Sequence, residues 1–523
     1  MGRWPIALCV SLLAGLATGA QRPIVFTDAS ASSGLSQRLV GIMNHAAAAG
    51  DVDGDGSLDL YIGTFCDRPR EAYKGADGPV PNILLLSRGG RFVDSGQKAV
   101  AIKGRTSGSV LVDLDNDGDP DLYTTNNSVR GIFLPNMLFE NTGGRFRNVS
   151  EGNAACIQMG GRSVGVFDWD GDGLLDLLVL EDAPGHSRLF RNTGGLRFEE
   201  ATARCRLPER LRGLGLVTPD FNGDGRADLL VSPGNRLLLS QPDGTFREAA
   251  ATRAVLGYRP PEGEPCGVAF GDLDRDGDFD VFIADHTKRP GARQHLFLNE
   301  GLRDGVPRFR EVSAQAGFDH VFPNRSPEGL LVKSAHVEIA DFDNDGWPDL
   351  FVAATFDDRG RNMPFIARNL GPGPDGVVRF AKPPVAKVNA YFPSGPVADY
   401  DRDGRLDVVL PSWFPEIPSQ LFLNRSPARH WLDVRVQGTT ANRDGIGSAV
   451  RIYAAGKLGE PSALLGYQEI TTGQGFCTGQ EPVAHFGLAD ADRVDVAITL
   501  PFGKGTIVRR GVQADQRILV AEK

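Results

Sequence analysis

One nine-residue pattern, D-x-[DN]-x-D-G-x-x-D, occurs seven times in this chain, beginning at Asp51, Asp113, Asp168, Asp220, Asp272, Asp341 and Asp399. Successive copies start 62, 55, 52, 52, 69 and 58 residues apart. That interval holds one small four-stranded sheet plus variable loops, which is the spacing of propeller blades. The pattern therefore predicts an all-β fold: a seven-bladed β-propeller over residues 21–425. Residues 426–523 are left for a small C-terminal β-sandwich-like domain.

Each copy places oxygen-bearing side chains at positions 1, 3, 5 and 9. They are Asp51, Asp53, Asp55 and Asp59; Asp113, Asp115, Asp117 and Asp121; Asp168, Asp170, Asp172 and Asp176; and Asp220, Asn222, Asp224 and Asp228. The last three copies give Asp272, Asp274, Asp276 and Asp280; Asp341, Asp343, Asp345 and Asp349; and Asp399, Asp401, Asp403 and Asp407. Position 6 is always glycine, as a sharp backbone turn with positive φ requires. Positions 2 and 10 are always apolar, so each loop joins two buried strands. Carboxylates crowded this closely repel one another by roughly several kcal/mol unless a cation neutralises them. A hard cation with six or seven oxygen ligands, one of them the carbonyl at position 7, fits such a loop, and calcium suits it better than magnesium. The expectation is up to seven structural calcium ions. An EF-hand is excluded: position 12 of the first copy is Ile62, not an acid, and the flanks read as strands.

Strand signals recur around each loop. A strand with an N-x-L-F-x-N flavour ends at Asn141, Asn192, Asn299 and Asn424, and the strand after it carries Phe92, Phe146, Phe198, Phe246, Phe309 or Phe380. No such outer strand follows Asn424. Ile24 to Asp28 resembles the strand Arg308 to Val312, so the N-terminus is expected to supply the missing strand and close the ring.

Sixty-five glycines and 34 prolines agree with many tight turns. The formal charge of −10 argues against nucleic acid as a partner, and seven divalent ions would bring it to about +4. Residues 1–20 read as a signal peptide: Arg3, an apolar run from Ile6 to Leu16, and small Thr18 and Ala20 before cleavage near residue 20. No later segment reads as transmembrane, so a secreted product, extracellular or periplasmic, is expected. It would retain Cys66, Cys156, Cys205, Cys266 and Cys477, an odd number, so at least one thiol stays unpaired or pairs between chains.

These loops resemble the FG-GAP or VCBS repeats, whose blades carry calcium loops as in the integrin α-subunit head. Residues 430 to 523, with "HWLDVRVQGTTANRDGIGSAVRIY", "GQGF", "HFGL" and "RVDVAITLPFGKG", resemble the ASPIC/UnbV domain that ends cartilage-acidic-protein-like chains. The family reads closer to G-x-G-[YF]-x-S-Q and W-P-S-G where this chain has Phe476-Cys477-Thr478-Gly479-Gln480 and Leu500-Pro501-Phe502-Gly503. Alternation of Leu432, Val434 and Val436 with Asp433 and Arg435 independently predicts strands packed as a small antiparallel sandwich. "NRDGIG", Asn442 to Gly447, reads as a turn or a binding loop.

The functional expectation is an extracellular binding, adhesion or scaffold protein. Its partner, a protein, glycan or small molecule, is expected on the face opposite the calcium loops, with Arg68, Arg70, Tyr73, His286, Arg359, Arg361, Trp413 and Phe414 as candidates. The alternative is an enzyme, or an accessory protein of secondary-metabolite biosynthesis, that uses the central channel. His45 and His336, five or six residues before their loops, would be its acid or base. No nucleophile elbow, phosphate loop, H-E-x-x-H or C-x-x-C is found, and no catalytic residue is assigned.

Overall fold

The computed structural model describes residues 23–128, 133–182, 185–258, 263–287, 292–317, 321–322, 335–353, 365–381 and 392–523. The expected signal peptide, Arg359 and Arg361 lie outside them, as does the side chain of His286.

Seven sheets carry the repeat. In the first, Asn44–Gly50 pairs with Asp59–Thr64, then Ile83–Arg88, then Arg91–Asp94. The same antiparallel order runs from Thr106–Val112 to Arg145–Asn148, from Gly161–Phe167 to Phe198–Glu200 and from Gly215–Val217 to Phe246–Glu248. It continues from Gly263–Gly271 to Val306–Glu311 and from Val337–Ala340 to Val378–Ala381. The second strands, such as Asp121–Asn126 and Asp176–Glu181, are buried along their whole length. Both of their faces meet neighbouring blades, which is why Leu177 to Leu180 read as an unbroken apolar run and even Thr124 and Thr125 are buried. The outer strands of the first four blades bury only their phenylalanine, as Arg145–Asn148 does with Phe146.

The seventh sheet has Val397–Ala398, Asp407–Leu410 and Gln420–Asn424 from one end of the chain and Phe26–Asp28 from the other. Phe26 faces Asn424 and Asp28 faces Phe422 in antiparallel register, so the N-terminal segment closes the ring as its sequence implied.

Two further sheets follow. One orders Ala484–Ala489, His430–Gln437 and Gln516–Ala521; the other orders Leu464–Glu469, Ala449–Ala454, Arg493–Leu500 and Gly505–Gln513. The sandwich departs from a purely antiparallel one, because Gln516–Ala521 runs parallel to His430–Gln437. After the hairpin ending at Gln513 the chain crosses to the other sheet and enters beside that strand in its direction. Leu432, Val434, Val494 and Val496 share one apolar core with Val110, Val112, Leu177 and Phe190 of the second and third blades. The sandwich and the ring are thus packed as one body.

Candidate metal centres and the face they form

All seven loops are built on one hydrogen-bond scheme. The position 1 carboxylate takes the N–H of the position 6 glycine, at 2.9 Å for Gly56 to Asp51, 2.8 Å for Gly118 to Asp113 and 2.6 Å for Gly346 to Asp341. Those glycines have φ of 85°, 105° and 85°, the left-handed turn expected of them. The position 9 aspartate bridges two strands. Asp59 accepts the N–H of Val52 at 3.1 Å and of Ser87 at 2.7 Å; Asp280 does the same for Leu273 at 2.9 Å and Asn299 at 2.8 Å. The position 9 residues therefore clamp the loop to the third strand, in addition to facing the other carboxylates. In at least five loops three carboxylates bring oxygens within 4.8 Å of one another, for example Asp51, Asp53 and Asp59, or Asp341, Asp343 and Asp349.

This convergence is electrostatically loaded. Burial pushes Asp59 up to about 7 and Asp121 and Asp176 up to about 8, against the lowering effect of the backbone N–H groups they accept. Burial likewise drives Asp228, Asp280, Asp349 and Asp407 well above the carboxylate range. At position 3, Asp53 Oδ1 and Asp274 Oδ1 are shut off from solvent with no hydrogen-bond donor. Oxygens left without a donor beside other carboxylates are what a hard cation would satisfy. The residues present fit calcium.

Position 4 escaped the sequence reading. Its residue has positive φ in every loop: Gly54, Asn116, Gly171, Gly223, Arg275, Asn344 and Arg402. Where it carries a side chain, that side chain reaches the next loop around the ring. Asn116 Nδ2 donates to the carbonyl of Gly173 at 3.1 Å, Arg275 Nε to Gly346 at 2.9 Å, Asn344 Nδ2 to Gly404 at 2.8 Å and Arg402 Nε to Gly56 at 2.9 Å. Glycine and asparagine enrichment at position 4 was the available signal, since both tolerate that backbone region.

The sandwich sits on this loop face. Asp444 accepts the Asp113 N–H at 3.0 Å and Glu469 that of Asp220 at 3.0 Å. Phe502 N donates to Gly225 O at 2.8 Å, and Lys504 Nζ lies 3.4 Å from Asp168. His485 is held between Asp433 at 2.7 Å and Asn344 at 2.9 Å; burial alone would lower its pKa, but Asp433 raises it above the ordinary value. A Cβ on Gly487 would stand 2.0 Å from Asp341 Oδ2, so only glycine permits this approach. The turn Asn442 to Gly447 is accordingly an internal docking loop. Asp433, on the strand face opposite Leu432 and Val434, is buried because that face meets the ring and Arg517.

From the sandwich a segment enters the central channel. Thr478–Gly479 pairs in parallel with Ala47 and Ala48 of the first blade, and Gly475 N donates to Val268 O of the fifth at 2.7 Å. Cys477 N donates to Ser163 Oγ of the third at 3.0 Å, and Phe476 N to His336 Nδ1 of the sixth at 3.4 Å. The channel alternative loses its space to this segment. His336, 0% exposed, lies 3.0 Å from the Gly395 carbonyl; His45 is buried, stacked on Phe65 at 4.6 Å and 3.3 Å from Ser107. A cavity of about 90 Å³ remains beside the segment, lined among others by Glu338, Glu469, Asp433 and His485.

Of the residues expected on the opposite face, Arg68 and Arg70 are exposed, and Trp413 and Phe414 half-buried. Tyr73 belongs to the core instead: the turn Arg70–Ala72 folds it inward, where its hydroxyl donates to Phe65 O at 3.1 Å and accepts from Arg68 N at 3.0 Å. Cys66, Cys205, Cys266 and Cys477 are buried and Cys156 half-buried, and burial pushes Cys156 and Cys477 up to about 12. Among the described residues no helix is long and apolar enough to cross a membrane.

The family models that match this chain agree with this architecture. The FG-GAP-like repeat matches residues 51–124, 168–231, 220–283 and 341–410, and the ASPIC and UnbV model matches 438–523. Human cartilage acidic protein 1 is 27% identical, covering 92% of this chain and 72% of its own length; the mouse protein is 26% identical over 92% and 73%. Human integrin alpha-IIb is 30% identical over 27% of this chain and 14% of its own. Among solved structures, the BP39L lectin from Burkholderia pseudomallei superposes with a TM-score of 0.45 and 14% identity, covering 71% of this chain and 93% of its own. Repeats, ring and terminal sandwich together place the chain in the family of FG-GAP repeat proteins that end in an ASPIC and UnbV domain.

Proposed function

We propose that this is a secreted, calcium-loaded propeller acting as an extracellular binding, adhesion or scaffold protein, its calcium structural. The observation that carries the reading is the convergence of loop carboxylates that bury oxygens without donors. Calcium would be held by the side chains at positions 1, 3, 5 and 9 of each loop, supplying the positive charge that lets buried carboxylates stay ionised. A signal peptide ending near residue 20, a propeller over 21–425 and a terminal domain over 426–523 complete the proposal. Likeness to cartilage acidic protein 1 supports an extracellular setting.

With the loop face covered by the sandwich, the opposite face is the one left to a protein, glycan or small-molecule partner, around Arg68, Arg70, Trp413 and Phe414. Removing calcium with a chelator tests the structural role. The melting temperature should fall sharply and return when calcium is restored; an unchanged melting temperature refutes it.

A further inference from the structure

We infer that guanidinium groups on the third strands sort the seven loops into two affinity classes for a divalent cation, with loops 2 and 5 the tight ones. The inference rests on the calcium reading above and concerns residues that are not ligands.

In every blade one third-strand residue donates its N–H to the position 9 aspartate: Ser87, Asn141, Asn192, Ser240, Asn299, Asn369 and Asn424. In the blades of loops 1, 3, 6 and 7 the residue just before or just after it is aimed at positions 3 and 5 of the loop. In all four this residue is arginine. Arg88 pairs with Asp53 and, at 2.8 Å, with Asp55; Arg191 pairs with Asp170 and, at 2.6 Å, with Asp172. Arg368 lies 2.7 Å from Asp343 and 2.8 Å from Asp345, and Arg425 lies 2.5 Å from Asp401 and 2.7 Å from Asp403. One fork thus spans the same two ligand positions in loops 1, 3, 6 and 7.

In loops 2 and 5 no guanidinium forks onto positions 3 and 5; an acid stands in its place, paired with Arg147 or Arg310 of the outer strand. Glu140 occupies the position of Arg191, and Glu300 the position of Arg88 and Arg425. Each of these loops also carries a fifth carboxylate, Asp119 or Asp278. Near loop 2, Arg443 stays 3.6 Å from Asp113, and the neighbouring Asp444 offsets it. Among the described residues no Arg or Lys pairs with a loop 5 carboxylate within 4.0 Å. Loop 4 joins the weak class, since Asn222 removes one charge and Arg226 pairs with Asp224 at 2.7 Å.

The physical consequence is direct. A guanidinium on two ligand carboxylates occupies their lone pairs and sets a like charge against the incoming ion. Even at the dielectric constant of water, a unit charge about 5 Å from a divalent ion weakens its binding by about tenfold or more.

The test is a calcium titration of the full chain stripped of divalent ions, followed by calorimetry, with bound calcium counted by atomic emission. Two tight sites and a class weaker by about tenfold or more are expected. Arg191→Gln and Arg425→Gln should each move one site out of the weak class, and Glu140→Arg and Glu300→Arg should each remove one from the tight class. Glu300 is exposed, so that substitution is readable even if an arginine variant fails to fold. Uniform sites, or arginine variants that leave the weak class unchanged, overturn this inference alone. Failure of any calcium to bind overturns the structural-cation reading with it.

Discussion

At the scale of single residues, the position 9 aspartates have two tasks that a sequence pattern cannot separate. Asp280 accepts two buried backbone N–H groups and faces Asp272 and Asp274. Asp280→Ala should therefore destabilise the chain even in the absence of calcium, by about 3 kcal/mol, because two buried donors lose their acceptor; denaturant unfolding in chelator measures it. The same burial sets the pH response. An aspartate held near 7 or 8 when folded, as are Asp59, Asp121 and Asp176, and near 3.8 when unfolded, binds its proton in the folded chain and sheds it on unfolding. That contribution is complete below about 4 and lost as pH rises through about 8. In chelator the melting temperature should thus fall between pH 5 and pH 8, and saturating calcium should flatten or reverse the trend. A melting temperature independent of pH in chelator would contradict the assignment of those protons.

At the scale of elements, closure and loop coupling are separable. Phe26–Asp28 is only three residues long, yet it covers the otherwise open edge of Gln420–Asn424 and is continued by Ala29 N donating to Leu421 O at 2.9 Å. Deleting residues 21–34 should open the ring and lower the melting temperature severely, because an unpaired edge and the cluster around Leu35 and Leu39 would be exposed together. A truncated chain that melts like the parent would refute closure. The ring of position 4 contacts is a finer device. Asn344→Gly keeps a residue that tolerates φ of 54° but removes the donors to Gly404 O and the partner of His485. It should loosen the sandwich, read as faster amide exchange in Ala484–Ala489, with the outer blade strands unchanged.

At the scale of the whole molecule, a shared core and an inserted segment bind ring and sandwich into one cooperative unit. Calorimetry in calcium should show a single transition for the full chain; two resolved transitions would mean that the cluster joining Val434 and Val496 to Val110 and Phe190 does not couple them.

The sequence by itself determined what is local and repeated. A pattern recurring seven times fixes its own turn, its two buried flanks and the number of blades, and the likeness of Ile24 to Asp28 to another outer strand located the closing strand. Its limits are equally physical. Tyr73 looked like a surface aromatic because nothing in a loop sequence reveals that the chain folds back over it. The channel segment around Phe476 and Cys477 has no periodicity to read, and its partners stand up to some four hundred residues away at Ala47. Those contacts, the burial of Asp433 and the sorting of arginines onto particular loops arise only when distant surfaces meet. Only the tertiary structure decided which face of the ring is covered.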